Sequence, residues 1–206
     1  MSQVKGLCVM DVDGALILEE VIDLLGREAG CEEEIAQLTS QAMRGELDFE
    51  RSLRDRVSFL EGLPISVFDT VFNSIHLSPN AQEFISILQK NGILVGLVSG
   101  GFTPIVDRLA KSLGIAYFSA NQLEVKDGLL TGKLVGQIIS PEVKKETLEQ
   151  WREELKLSKE RTIAIGDGAN DLLMLKSAGL GIAFCAKEVL KKEIPNHVDK
   201  RDFLEV

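Results

Sequence analysis

The 206-residue chain carries 23 Lys and Arg against 32 Asp and Glu, a formal charge of −9, with 45% hydrophobic and 27% charged residues. That length suits one α/β domain with a modest insertion, or two small lobes, and the apolar content is enough for a packed core. The negative balance excludes a protein that grips nucleic acid by neutralising phosphates, and no apolar run reaches the roughly 18 residues that a membrane crossing needs.

Residues 4–10 form a short apolar run suited to a buried parallel strand. After Asp13-Gly14 the pattern turns helical. Val21, Ile22, Leu24 and Leu25 lead to a stop near Gly30. Ile35, Leu38, Ala42 and Met43 recur at helical spacing as far as Gly45. Leu53, Val57 and Leu60 run to Gly62, and Leu63-Pro64 marks a new start. Residues 15–76 therefore read as an all-helical insertion. The stretch from Ala15 to Leu77 holds five Arg, no Lys and thirteen Asp or Glu, eight charges negative.

The α/β pattern then resumes. Residues 81–90 suit a helix stopped by Asn91-Gly92, and 93–98 an apolar strand ending in Ser99-Gly100-Gly101. A helix over 103–113 stops at Gly114, and Asp127-Gly128 signals a hairpin within 122–137. Residues 143–155 and 171–178 read as helices, 162–165 and 180–184 as strands. Strands alternating with helices predict a parallel sheet with right-handed crossovers.

Asp11-Val12-Asp13 follows the first strand, and Gly166-Asp167-Gly168-Ala169-Asn170-Asp171 follows the 162–165 strand. The C-terminal strand ends of an open parallel sheet are where its chemistry collects. Carboxylates brought together there repel unless a cation lies between them, which asks for Mg²⁺. One carboxylate can accept a phosphoryl group and release it by hydrolysis, and a second can protonate the leaving alcohol. Taken alone, Asp-x-Asp at a strand end is a turn or cap more often than a site, and it is the pairing with Asp167 and Asp171 that reverses this. Ser99-Gly100-Gly101 offers backbone N–H groups and a hydroxyl to phosphate oxygens, or is merely a Gly-rich strand-to-helix turn. Lys144 and Lys145 open the next helix, and either can supply a fixed positive charge.

Other residues carry blander expectations. Cys8, Cys31 and Cys185 lack metal-ligand spacing, and Cys8 and Cys185 lie in apolar runs that suit buried reduced thiols. His76 and His197 have no ligand-spaced partners, and Trp151 is expected to pack at the edge of a polar helix. The N-terminus lacks a basic region before a long apolar one, so a cytoplasmic protein without an appended regulatory module is expected.

The ordered set DVDG, SGG, Lys and GDGAND resembles the haloacid dehalogenase-like phosphohydrolases. More narrowly, the chain is similar to the phosphoserine phosphatase family. The likeness lies in Glu20-Val21-Ile22-Asp23, Ala42-Met43-Arg44-Gly45, the stretch from Phe49 to Val57, Val98 to Phe102, Val125 to Gly128, and the segment from Ile182 to Lys187. The resemblance implies a Rossmann-like parallel sheet core, 1–14 with 77–206, and a helical cap, 15–76. It implies Mg²⁺-dependent hydrolysis of O-phospho-L-serine, the last step of serine biosynthesis, through an aspartyl-phosphate. Asp11 would be the nucleophile and Asp13 the general acid and base. Asp11, the Asp13 main-chain carbonyl and Asp167 would hold the metal, with Asp171 supporting its water shell. Ser99, Gly100 and Lys144 would bind the phosphoryl group, with Asn170 beside them. Glu20 would meet the substrate ammonium and Arg56 its carboxylate, while Met43 and Phe49 close over both.

One position departs from the family pattern. The motif usually continues with a hydroxyl residue where this chain has Ala15, which removes a group expected to cap the following helix or orient the nucleophile's loop. Two rivals stay open: a phosphatase of the same architecture acting on another small phosphomonoester, and a phospho-ligand binding protein with a damaged first motif. The partner in each case is a small molecule rather than nucleic acid or membrane.

Overall fold

The computed structural model describes residues 4–43 and 48–206, and of Ser40, Ala42 and Met43 the backbone alone. Strand β1 (Gly6–Met10) is followed by four helices, α1 (Val21–Ala29), α2 (Glu32–Met43), α3 (Phe49–Ser58) and α4 (Val67–Asn73). Then come α5 (Ala81–Lys90), β2 (Ile93–Phe102), α6 (Thr103–Ser112), β3 (Tyr117–Lys126), β4 (Leu129–Val135) and α7 (Pro141–Glu154). The chain closes with β5 (Thr162–Gly166), α8 (Leu172–Ser177), β6 (Leu180–Phe184), α9 (Glu188–Lys191) and β7 (His197–Val198). Among the described residues no helix is long and apolar enough to cross a membrane.

The strands form one sheet in the order β4-β3-β2-β1-β5-β6-β7, parallel except where β4 runs back along β3. An uninterrupted apolar strand needs cover on both faces, and β1 has it. Cys8 and Met10 face a cluster that includes Val106 and Leu109 of α6, Ile85 of α5 and the C-terminal Phe203. Leu7 and Val9 face the opposite cluster, with Leu148 and Trp151 of α7 and Met174 and Leu175 of α8. Burial of each such side chain contributes about 1.5–3 kcal/mol.

The helices between β1 and α5 fold together over the carboxyl ends of the strands. Asp48 starts α3 by accepting the Arg51 N–H at 2.9 Å. The outgoing and returning chains run side by side, Ile17 bridging Leu77 and the Leu18 N–H donating to the His76 carbonyl at 3.0 Å. The segment after α3 also pairs with the β3–β4 hairpin, Gly62 N–H to the Leu130 carbonyl and Leu130 N–H to the Leu63 carbonyl, each 2.8 Å. The sequence expectation that the second helix of the insertion reaches Gly45 falls outside the described residues.

Several expectations need correction. Ser99-Gly100-Gly101 is not a strand-to-helix turn. Strand β2 continues through it to Phe102 with a shift of register against β3, and α6 starts only at Thr103. Trp151 is buried and meets Tyr117 edge to face, ring centroids 5.4 Å apart, because Lys144, Leu148 and Trp151 share the inner face of α7. Cys185 is only half-buried. The chain turns there at φ 48°, directly after β6, and the side chain packs at the margin of the core with its thiol donating to the Asp199 carbonyl at 3.5 Å. Cys8 is buried as expected, and burial pushes its thiol up to about 12.

Gly96 shows how tightly Trp151 is seated: a β-carbon there would lie 2.5 Å from the indole Cζ3. Gly96→Ala is expected to cost about 1–3 kcal/mol of stability through overpacking. Urea denaturation checks this, and an unchanged midpoint would mean the ring has room to move.

Candidate active site

Three neighbouring strands, β2, β1 and β5, bring the expected residues to one sheet edge. Met10 lies level with Leu97 and Ile165. The residues just beyond them therefore emerge together, and the Asp11 N–H continues the ladder by donating to the Ile165 carbonyl at 2.9 Å.

Lys144 joins the clusters. Ser140 caps α7 by accepting the Val143 N–H at 3.3 Å, which places Lys144 in the first turn, facing inward and fully buried. Its Nζ donates to Asp11 Oδ1 at 2.8 Å and to Asp171 Oδ1 at 2.7 Å. Burial alone would lower the Lys144 pKa, but the two carboxylates raise it overall, so the ammonium stays charged. Lys145, the alternative cation, points outward toward Glu149. Asp171 Oδ2 accepts the N–H groups of Asp167 and Gly168 at 3.2 and 3.1 Å, so both its oxygens are engaged in bracing this turn. The Asn170 side chain folds back over the α-carbon of Gly168.

Asp13 turns toward β2 and α1. Its Oδ2 accepts from the Ser99 hydroxyl at 3.3 Å and its Oδ1 from the Val21 N–H at 3.3 Å. Ser99 Oγ also accepts the Gly101 N–H at 2.8 Å, and Gly101 must be glycine because a β-carbon would run into the Asp13 carboxyl. Burial, followed by the Glu20 charge, pushes the Asp13 carboxyl up to about 7, against the lowering effect of the Val21 N–H, Lys144 and Ser99. A carboxyl so placed can both give and take a proton near neutral pH.

The helical segment supplies the rim. Glu20 stands at the N-terminus of α1, open to water, its pKa raised by burial of its surroundings and by Asp23 and lowered by Lys187, Arg56 and Lys144. Arg56 on α3 is half-buried. Its Nε donates to the Ser52 carbonyl at 3.1 Å, and no carboxylate among the described residues lies within 4.0 Å of it. Phe49, half-buried, reaches to Gly100, 3.8 Å from where a β-carbon would stand. The Met43 side chain lies outside the described residues.

Sequence reasoning gave no role to Asn121 or Lys187. Asn121, buried in β3, donates to the Gly100 carbonyl at 2.8 Å and accepts the Ile139 N–H at 2.9 Å, fixing the β2 bulge. An amide inside a strand pattern was the available signal. Lys187 is the second cation near the cluster, felt by both Glu20 and Asp167. The capping part of the Ala15 expectation also changes. Helix α1 begins at Val21 and its first N–H is taken by Asp13, so a hydroxyl at the buried Ala15 would cap nothing there.

One carboxylate oxygen each from Asp11, Asp167 and Asp171 lie within 4.8 Å of one another. Three carboxylates around the Lys144 ammonium, with Lys187 acting on Asp167 as well, leave an excess of negative charge. Burial, then this repulsion, raises Asp11 well above the ordinary range, and burial with Asp171 and Glu20 raises Asp167 to about 6. A divalent cation fits that deficit. Asp171 already accepts three hydrogen bonds, whereas Asp11 accepts one, from Lys144.

Residues 6–179 match the haloacid dehalogenase-like hydrolase family model. A phosphoserine phosphatase of Streptococcus thermophilus is 53% identical over 206 residues, covering 100% of this chain and 96% of the relative. A solved phospho-aspartyl intermediate analogue of phosphoserine phosphatase superposes with a TM-score of 0.92 at 44% identity, covering 98% and 96% of the two chains. A substrate-bound phosphoserine phosphatase complex matches equally well, with TM-score 0.92, 44% identity and the same coverage.

Mg²⁺ at about a hundred times its dissociation constant is expected to stabilise the fold by about 2.7 kcal/mol, a rise of roughly 5–10 °C in thermal midpoint. Asp167→Asn is expected to lose most of that rise. A variant that keeps the parent's shift would place the cation elsewhere.

Proposed function

The chain belongs to the haloacid dehalogenase-like hydrolases, and within that family we propose that it hydrolyses O-phospho-L-serine to L-serine and phosphate, the last step of serine biosynthesis. What supports this reading is the set of opposite charges that lie near one another: Asp11 is tied to the buried Lys144, and Glu20 feels both Lys144 and Arg56. A phosphate flanked by an ammonium and a carboxylate is the ligand that such an arrangement complements. We assign residues 1–14 and 77–206 to the catalytic core and 15–76 to a cap over it.

Asp11 attacks phosphorus while the seryl oxygen departs, and Asp13 gives that oxygen its proton. Asp13 then takes a proton from water as the water attacks the aspartyl-phosphate, which returns Asp11 and releases phosphate. Lys144, Ser99 and the Gly100 backbone offer positive charge and donors to the phosphoryl oxygens, with Asn170 beside them. Mg²⁺ held by Asp11, Asp167 and the Asp13 carbonyl, with Asp171 behind it, would supply the charge that lets one anion approach another. Arg56 grips the substrate carboxylate in a two-pronged contact, Glu20 meets the ammonium, and Phe49 and Met43 exclude water.

Phosphate release from a panel of phosphomonoesters, with and without Mg²⁺, tests the reading. Phosphoserine should be the best substrate and turnover should require the ion, whereas a flat panel would remove the substrate assignment. Asp11→Asn should fold and yet retain less than a tenth of parental turnover, a barrier rise above about 1.4 kcal/mol. Arg56→Ala should lower kcat/KM for phosphoserine about 10- to 150-fold, from a contact of about 1.5–3 kcal/mol, and spare phosphoethanolamine, which lacks the carboxylate. Equal losses on both esters would make Arg56 structural.

A further inference from the structure

Arg201 lies outside every motif to which chemistry has been assigned, yet it reaches the catalytic loop. Its Nη1 donates to the Gly14 carbonyl at 2.8 Å and approaches the Ser78 hydroxyl at 3.5 Å. Ser78 in turn donates its hydroxyl to the Ala15 carbonyl at 2.7 Å and its N–H to the Leu16 carbonyl at 2.9 Å. The chain leaving β1 and the chain returning to α5 are thereby fastened to one guanidinium.

The segment bearing Arg201 is itself anchored. The Arg201 guanidinium lies over the Phe184 ring, 5.9 Å from its centroid, and Phe203 stacks on Phe184 at 4.3 Å. Asn80 donates to Asp202 at 2.8 Å, and the Phe203 N–H donates to the Pro79 carbonyl at 3.0 Å.

Asp13 needs such support. Both contacts to its carboxyl are 3.3 Å, long for hydrogen bonds to a carboxylate, so they fix its position weakly. Gly14, the next residue, turns at φ 70°, a conformation without side-chain packing to hold it. On Gly14 itself the N–H donates to the Glu19 carbonyl at a long 3.4 Å, and the Arg201 contact to the Gly14 carbonyl at 2.8 Å is the shorter of the two bonds that hold its backbone.

We propose that Arg201 is a positioning residue for Asp13. It fixes the peptide that follows Gly14, one residue beyond Asp13, and so keeps the carboxyl within reach of the leaving oxygen. The inference rests on the phosphatase reading above.

The leaving group separates this role from a general structural one. An alkoxide must be protonated as it leaves, phenolate less so, and p-nitrophenolate departs as a stable anion. kcat/KM for phosphoserine, phenyl phosphate and p-nitrophenyl phosphate is measured in the Mg²⁺-loaded parent, Arg201→Gln and Arg201→Lys. For Arg201→Gln, losses of about 30-fold, about 10-fold and at most about threefold are expected in that order, within the range general acid catalysis commands. Arg201→Lys keeps a charged donor and should show the same ranking with smaller gaps, and it carries the test if the Gln variant does not fold. Equal losses on all three esters would overturn the proposal. A parent that hydrolyses the aryl phosphates but not phosphoserine would remove the substrate assignment while the aryl pair still tests Arg201. A parent that hydrolyses none would overturn both.

Discussion

Lys144 is fully buried, and two carboxylates converge on it from different strands. Removing an ammonium from water costs several kcal/mol, and only close ionic partners of good geometry offset it. The sheet order satisfies that demand. With β1 between β2 and β5, Asp11 and Asp171 arrive from adjacent strands while α7 delivers the cation from one face. The pair does not balance, because Asp167 adds a third carboxylate. The same constraint that holds the strand ends together thus leaves a local negative charge that a divalent cation would answer.

The rim is built differently. Glu20, Phe49 and Arg56 stand on α1 and α3, which join the sheet through two short paired crossings at Ile17 and Leu77 and through the hairpin contacts of residues 62–65. Glu19 strengthens the first junction by accepting both the His76 N–H at 3.0 Å and a contact from His76 Nδ1 at 2.7 Å. On the proposed roles, the reacting groups belong to the strand ends, and the groups that would read the rest of the substrate belong to the helices. Such a division lets specificity change without disturbing the phosphoryl site.

Much of this was legible in the sequence for a physical reason. Buried parallel strands are apolar runs, so Asp11, Asp13 and Asp167, standing directly after such runs, read as strand-end residues rather than members of the apolar runs. Side-chain direction was harder. Lys144 and Lys145 are adjacent and chemically alike, and only the phase of α7 buries one of them. The same phase, through Leu148, buries Trp151, a periodicity hidden among charged neighbours. Asn121, Lys187 and Arg201 act through partners distant in the chain, which no local pattern encodes. The motif departure at Ala15 was visible, but its consequence was not, since the helix it was expected to cap starts at Val21.

The central claim is that Asp11 itself receives the phosphoryl group. Rapid acid quench of the Mg²⁺-loaded protein during turnover of phosphorus-labelled phosphoserine, followed by peptide mapping, tests it most directly. The account predicts a transient label on the peptide that contains Asp11, formed and lost at rates consistent with turnover. Label on another peptide, or turnover with no labelled protein at any quench time, would contradict it.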